Sequence, residues 1–436
     1  MARNIVHMAL PMTVAQLINI LYNVVDRMYL GRLPGHLALT GLGLCLPIIS
    51  ILMGFANLAG MGGAPLCAIH RGRGEHEEAE RILGSSFTLL LLFGVGLTAL
   101  CLAFRRPILY LFGASDMTFP YAEDYLTIYI LGTVFVIVGL GMNPFINAQG
   151  FSRMGMLTVA LGAVVNIVLD PVFIFGLGMG VRGAALATVI SQASSAAWVL
   201  CFLTGKRAIL RLRLGALRLQ AARVRRILGL GASGFAMSMT NSLVQVLCNA
   251  SLQVYGGDLY VGVMTVINSV REVVSMPVQG ITNGCQPVLG YNYGAGEYGR
   301  VREGIRFTTA LTLGYSLAAW LLVMAAPGLL IRIFNDEADL LAAGIPAFRI
   351  YFATFVCMSF QFIGQSVFVG LGQSKKAVFF SLLRKAFIVA PLTLLLPALG
   401  MGVDGVFLAE PISNVLGGLA CVLTMYVTVY RRLGRE

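Results

Sequence analysis

Uninterrupted apolar runs, each about long enough to cross a bilayer, recur along this chain from end to end and leave few folds open to it. A spanning helix needs roughly 20 apolar residues for a hydrocarbon core ~30 Å thick. Twelve such runs are read, at 8–30, 37–62, 83–104, 121–143, 156–176, 183–204, 228–255, 259–283, 307–331, 343–367, 377–398 and 404–430. The strands of a membrane barrel would instead alternate apolar and polar residues over ~10 positions. Of 436 residues, 58% are hydrophobic and 11% charged. Such a balance excludes soluble, disordered, collagen-like and small disulfide-stapled proteins. The expected fold class is an all-α integral membrane protein with twelve transmembrane helices.

The first run follows Arg3 and carries Gln16, Asn19, Asn23 and Asp26 without a small-residue cleavage site, so it is read as a retained helix and not as a signal peptide. The net charge of +12 is distributed as a topology signal. Alternate loops and the two termini hold 21 Lys and Arg residues, among them Arg3, Arg71, Arg73, Arg153, the cluster from Lys206 to Arg226, and Arg435. The opposite loops hold six: Arg32, Arg105, Arg106, Arg182, Arg332 and Arg349. This bias predicts a multi-pass protein of the cytoplasmic (inner) membrane with both termini in the cytoplasm. The Arg-rich loop lacks interleaved aromatics, and anionic lipid headgroups are a sufficient partner, so no nucleic acid is expected. The eight cysteines are scattered singly, and His70 and His76 lack ligand spacing. Nothing here marks an enzyme, a resident metal or a cofactor.

The chain repeats itself at an offset of 222 residues. The stretch from Gly178 to Gln192 returns from Gly400 to Asn414 with nine of fifteen positions identical, and Gly62, Pro65, Gly72, Gly74, Glu75, Tyr129, Gly150 and Ser152 recur at Gly284, Pro287, Gly294, Gly296, Glu297, Tyr351, Gly372 and Ser374. Six spans per half is an even number, so the halves enter the membrane from the same side and are related by a pseudo-two-fold axis along the membrane normal. The reading is two six-helix lobes, 1–204 and 228–436, joined by a cytoplasmic linker at 205–227 that lies along the headgroups. Lobes of this kind make a central cavity that opens to either side, as in transporters, and the chain is expected to act as a monomer.

Polar residues at membrane depth each need a reason. Gln16, Asn19, Asn23 and Asp26 share one face of helix 1; the offset places Ser238, Asn241, Gln245 and Cys248 on helix 7. Asn166 and Asp170 lie one turn apart on helix 5 before Pro171, where the second half has Ile388 and Leu392. If Asp26 and Asp170 meet in a dry pocket, they titrate as a coupled pair or share a cation. Otherwise each sits near a helix end or caps a kink. Arg271-Glu272 and Arg384-Lys385 are read as snorkelling or paired within the bundle, and Glu410 stands open between cavity and structural roles. Met237 and Met239 flank the helix 7 stripe and would suit an adaptable apolar cavity or packing.

Several motifs resemble one known family: Pro11 with the run from Val25 to Gly31, Gly63-Ala64-Pro65-Leu66, Asn166 with Asp170-Pro171, the run from Gly180 to Ala185, and Gly284-Cys285-Gln286-Pro287-Val288-Leu289-Gly290-Tyr291-Asn292-Tyr293-Gly294-Ala295. Together they resemble the multidrug and toxic compound extrusion (MATE) family over nearly the whole chain, and most of all its bacterial MepA-like group. The resemblance implies export of small organic cations and amphipathic molecules in exchange for Na⁺ or H⁺. It also implies a cation site at Asp26, Asn166, Asp170 and Thr188, with Tyr22, Tyr125, Tyr129 and Asn143 in a surrounding network. Relatives with carboxylates on helices 7 and 10 would match Asn241, Gln245 and Gln361, where this chain has no acid.

The expected substrate surface is Gln16, Asn19, Asn23, Met237, Asn241 and Gln245. A flippase or exporter of lipid-linked or other amphipathic metabolites is the alternative; it calls for Arg or Lys facing the cavity, whereas the stripe residues are neutral or acidic.

Overall fold

Nine glycines adopt left-handed backbone among the described residues, and eight of them fall into four pairs separated by 222 residues. The pairs are Gly74 and Gly296 (φ 79° and 75°), Gly150 and Gly372 (94° and 71°), Gly178 and Gly400 (64° and 97°), and Gly180 and Gly402 (56° and 55°). A Cβ penalises this region, so the repeat is one of chain reversals as well as of residues. The computed structural model describes residues 1–31, 37–112, 114–334 and 337–434, and only the backbone at 27, 30–31, 37–43, 258 and 434. Arg32 and Arg435 of the charge reading lie outside them.

Among the described residues twelve long helices, two of them bent, make up most of the chain. They are α1 (Ala2–Gly31), α2 (Leu37–Gly72), α3 (His76–Ala103), α4 (Phe119–Leu131 and Thr133–Ala148, bent by 57°), α5 (Ser152–Gly176) and α6 (Val181–Thr204). The second half repeats the series as α7 (Ala221–Gly257), α8 (Leu259–Gly294), α9 (Tyr298–Ala325), α10 (Ala338–Phe352 and Phe355–Gly370, bent by 43°), α11 (374–399) and α12 (Gly402–Met425 continuing through Tyr426–Tyr430). Gly257 (φ 71°) separates α7 from α8, and Gly400 with Gly402 divides the long apolar stretch Ser374–Tyr430 into α11 and α12. The architecture is the all-α, twelve-helix, two-lobe one expected from the sequence.

Two π-helical stretches adjoin buried charged residues. Pro171 has no N–H to give to the ladder, and α5 finishes in a π-helical turn, Val172–Gly176, just after Asp170. In α11 a π-helical stretch, Leu383–Val389, carries Arg384 and Lys385. A wider turn re-aims its side chains relative to an α-helix and is frequent at functional sites.

The chain packs as two compact units, Val14–Phe235 (the N-unit) and Met1–Thr13 with Ala236–Glu436 (the C-unit). The division falls inside α1 and α7, not in the linker, and glycines explain why. In the N-unit, a Cβ at Gly231 of α7 would lie 1.7 Å from the Leu58 carbonyl oxygen of α2, and one at Gly62 would lie 2.0 Å from that of Ile227. In the C-unit, a Cβ at Gly280 of α8 would stand 2.7 Å from Thr13 Cα, and one at Gly284 2.6 Å from Ala9 Cα. Leu58/Gly280, Gly62/Gly284 and Ala9/Gly231 are again 222 apart. With no hydrophobic drive between helices in lipid, such small-residue contacts are what hold them together.

The linker after α6 is docked on protein. Leu210 N–H donates to Gln149 Oε1 (2.8 Å), Arg211 N–H to Glu80 Oε1 (3.0 Å), and Thr88 Oγ1 to the Leu217 carbonyl (2.8 Å). Arg223 grips Glu78 at 3.1 and 3.0 Å, and Arg226 reaches the same carboxylate at 3.1 Å. The acids at the start of α3 thus neutralise part of the linker's charge.

Candidate functional site

Within the N-unit, α1, α4, α5 and α6 bring polar groups to one place. Asn166 and Asp170 share a face of α5 and are fully buried; Thr188 of α6 is 3% exposed and Asp26 of α1 is 8% exposed. Asn166 Nδ2 donates to Asp170 Oδ1 and to Thr188 Oγ1, both at 3.4 Å, while the Thr188 hydroxyl donates back to the Ala184 carbonyl at 3.0 Å. The Asp26 and Asp170 carboxyl groups are near enough to interact through a hydrogen bond. Two acids in contact at membrane depth need a proton or a cation between them to avoid repulsion. Asn166 Oδ1 and Asp170 Oδ2 receive no donor among the described residues, so the cluster still has oxygen lone pairs to offer. All its donors are hard oxygens, which suits a proton or an alkali cation.

Three tyrosines surround the cluster. Tyr22 and Tyr125 reach the Thr188 hydroxyl and lie near Asp26, and Tyr125 stacks on Tyr129 with ring centroids 6.1 Å apart. Asn143 is elsewhere: its Nδ2 donates to the Gly155 carbonyl at 3.4 Å, and Gly155 precedes Asn166 by 11 residues, about 16 Å along α5. Of the substrate-surface residues in this unit, Gln16 is half-buried, and Asn19 and Asn23 are exposed, with Asn23 Nδ2 bonded to the Asn19 carbonyl at 2.9 Å.

The C-unit holds a pocket of about 390 Å³, open solvent included, at the counterpart position. Its lining residues Asn241, Gln245, Cys248, Tyr351 and Glu410 are the shifted equivalents of Asn19, Asn23, Asp26, Tyr129 and Thr188. Met237, expected on the cavity surface, is half-buried outside this lining. Gln361 is also absent from it, its Nε2 donating to the Phe380 carbonyl at 2.9 Å. The charge, however, is reversed. Arg271 and Lys385 line the pocket where the first half has Ile49 and Ala163.

Lys385 Nζ holds both Glu410 oxygens at 2.9 Å, and Arg384 Nη1 holds Glu410 Oε1 at 2.9 Å and Asn414 Oδ1 at 2.7 Å. All four residues are at most 4% exposed, and Gly417 leaves room for the Arg384 stem, which a Cβ there would meet at 3.0 Å. The stripe residues Asn241 and Gln245 are neutral, and the basic Arg271 and Lys385 line the same pocket from α8 and α11. The offset already set Glu410 against Thr188 in the sequence; applied to the other charged residues as well, it would have exposed the Arg271/Ile49 and Lys385/Ala163 contrasts.

Comparison with known proteins agrees with this fold. The MatE family model matches residues 11–172 and 234–395, one stretch in each half. The multidrug export protein MepA of Staphylococcus haemolyticus (strain JCSC1435) is 23% identical over 420 residues, covering 96% of this chain and 92% of that protein. MepA of Staphylococcus aureus (strain MSSA476) is 23% identical over 424 residues, 97% of this chain and 92% of that one. Among solved structures, a MATE transporter in complex with MaL6 superposes with a TM-score of 0.94 at 22% identity, covering 100% of this chain and 97% of that one. An outward-facing multidrug resistance MATE transporter gives 0.93 at the same identity and coverage.

Proposed function

The chain belongs to the MatE family of multidrug efflux transporters, and from that premise we propose that it exports organic cations in exchange for H⁺ or Na⁺, coupled through Asp26 and Asp170 of the N-unit. The observation that carries this reading is the meeting of two buried carboxylates with Asn166 and Thr188 inside membrane-spanning helices. Capture of a proton or Na⁺ there removes the repulsion between the acids and favours a state with weaker drug affinity. The exchange requires that ion and drug bind the two states unequally. Gln16, Asn19 and Asn23 continue the same face of α1 toward substrate, and Asn241 and Gln245 offer amides on α7. The charge bias supports an inner-membrane protein with cytoplasmic termini.

The test is ethidium efflux from cells expressing Asp26→Asn and Asp170→Asn. Each substitution removes a titratable carboxylate while keeping its size, and efflux is expected to fall at least tenfold in both. Undiminished efflux by both variants rejects the coupling assignment.

A further inference from the structure

The basic pocket of the C-unit has no part in the ion coupling assigned to the N-unit, yet it places uncommon charge inside the membrane. Arg271, Arg384 and Lys385 face one carboxylate, Glu410. Glu410 is already saturated: it takes both its oxygens to Lys385 and one of them to Arg384. Arg271 is half-buried, lies near the Tyr351 hydroxyl and Glu410 without bonding either, and its Nε has no hydrogen-bond partner among the described residues. The neighbouring Glu272, whose charge also acts on Arg271, is exposed and does not line the pocket. A guanidinium at membrane depth is costly, and a planar fork that no carboxylate among the described residues hydrogen-bonds is free to take one bidentately. Amide and hydroxyl groups of Asn241, Gln245, Asn268 and Tyr351 complete the lining, with a buried Asn241 Oδ1 that has no partner among the described residues.

We propose that this pocket is an anion subsite, in which Arg271, supported by Lys385, receives the carboxylate of a zwitterionic or anionic transported molecule. The subsite stands at the repeat position of the acidic cluster, so one fold offers opposite charges at its two equivalent places. The proposal deepens the exporter reading, since it names a substrate class, but its test is one of binding and stands apart from transport.

The full-length protein in phosphatidylcholine nanodiscs is titrated with norfloxacin, a zwitterion, and with its ethyl ester, which lacks the carboxylate, using the drug's own fluorescence. The wild type is expected to bind the acid at least tenfold more tightly than the ester, the scale of one charge-assisted pair. Arg271→Gln is expected to erase that preference without weakening the ester, and Arg271→Lys to restore part of it. Because Arg271 makes no hydrogen bond among the described residues, neither variant should unfold the protein; a matching melting temperature checks this.

Equal binding of acid and ester by the wild type, no binding of the acid, or a preference that survives Arg271→Gln overturns the proposal. So does a preference that vanishes on adding chloride or phosphatidylglycerol, which hands the pocket to a bulk anion or a headgroup. Failure of ethidium efflux in wild-type cells would sink the exporter reading and leave this comparison of acid and ester intact.

Discussion

Asp26 and Asp170 lie 144 positions apart in the chain, and beside them one amide nitrogen of Asn166 ties Asp170 to Thr188 at equal lengths of 3.4 Å. Bonds of that length are weak, so the amide holds the cluster without locking it. Thr188→Val keeps the shape and removes the hydroxyl; the expected result is a several-fold loss of ethidium efflux, smaller than that of either acid variant, measured in the same cells. Glu410 has the opposite character, since it is held by two cations at 2.9 Å. Glu410→Ala strands both of them and should cost about 3–5 kcal/mol, as breaking a buried pair does, read as a fall in melting temperature of the purified protein.

The sequence already displayed the first of these clusters, because an Asn and an Asp four apart in an apolar run have one face to share. It hid the second, because a charged pair such as Arg384-Lys385 looks the same whether it snorkels or is buried, and the π-helical turn that aims it has no signature in hydrophobic periodicity.

At the scale of elements, apolar run length located the twelve long helices and the repeated glycines fall at reversals between them, but neither says which helix lies beside which. That is why the exchange of ends between α1 and α7 was not legible, although Ala9, Gly280 and Gly284 supply the small residues that such crossings use. Gly231→Val should prevent α7 from seating on α2, since its Cβ would fall 1.7 Å from a backbone oxygen. The expected outcome is loss of the monodisperse peak in detergent size-exclusion chromatography. A paired substitution tests the reversals. Gly400→Ala forces a Cβ onto φ 97° and should cost about 1–3 kcal/mol, whereas Gly96→Ala, in open space within α3, should leave the melting temperature unchanged or raise it.

For the whole molecule, duplication supplies two equivalent frames and divergence has given them unlike electrostatics: an acid pair in the N-unit, a surplus of cations in the C-unit. The central claim concerns the first. Its most direct measurement uses proteoliposomes in which an inward pH gradient and an inward Na⁺ gradient are imposed separately while ethidium movement is followed in the wild type, Asp26→Asn and Asp170→Asn. At least one gradient should drive outward ethidium movement in the wild type and neither should do so in the variants. Gradient-driven movement of wild-type size in both variants would contradict the account.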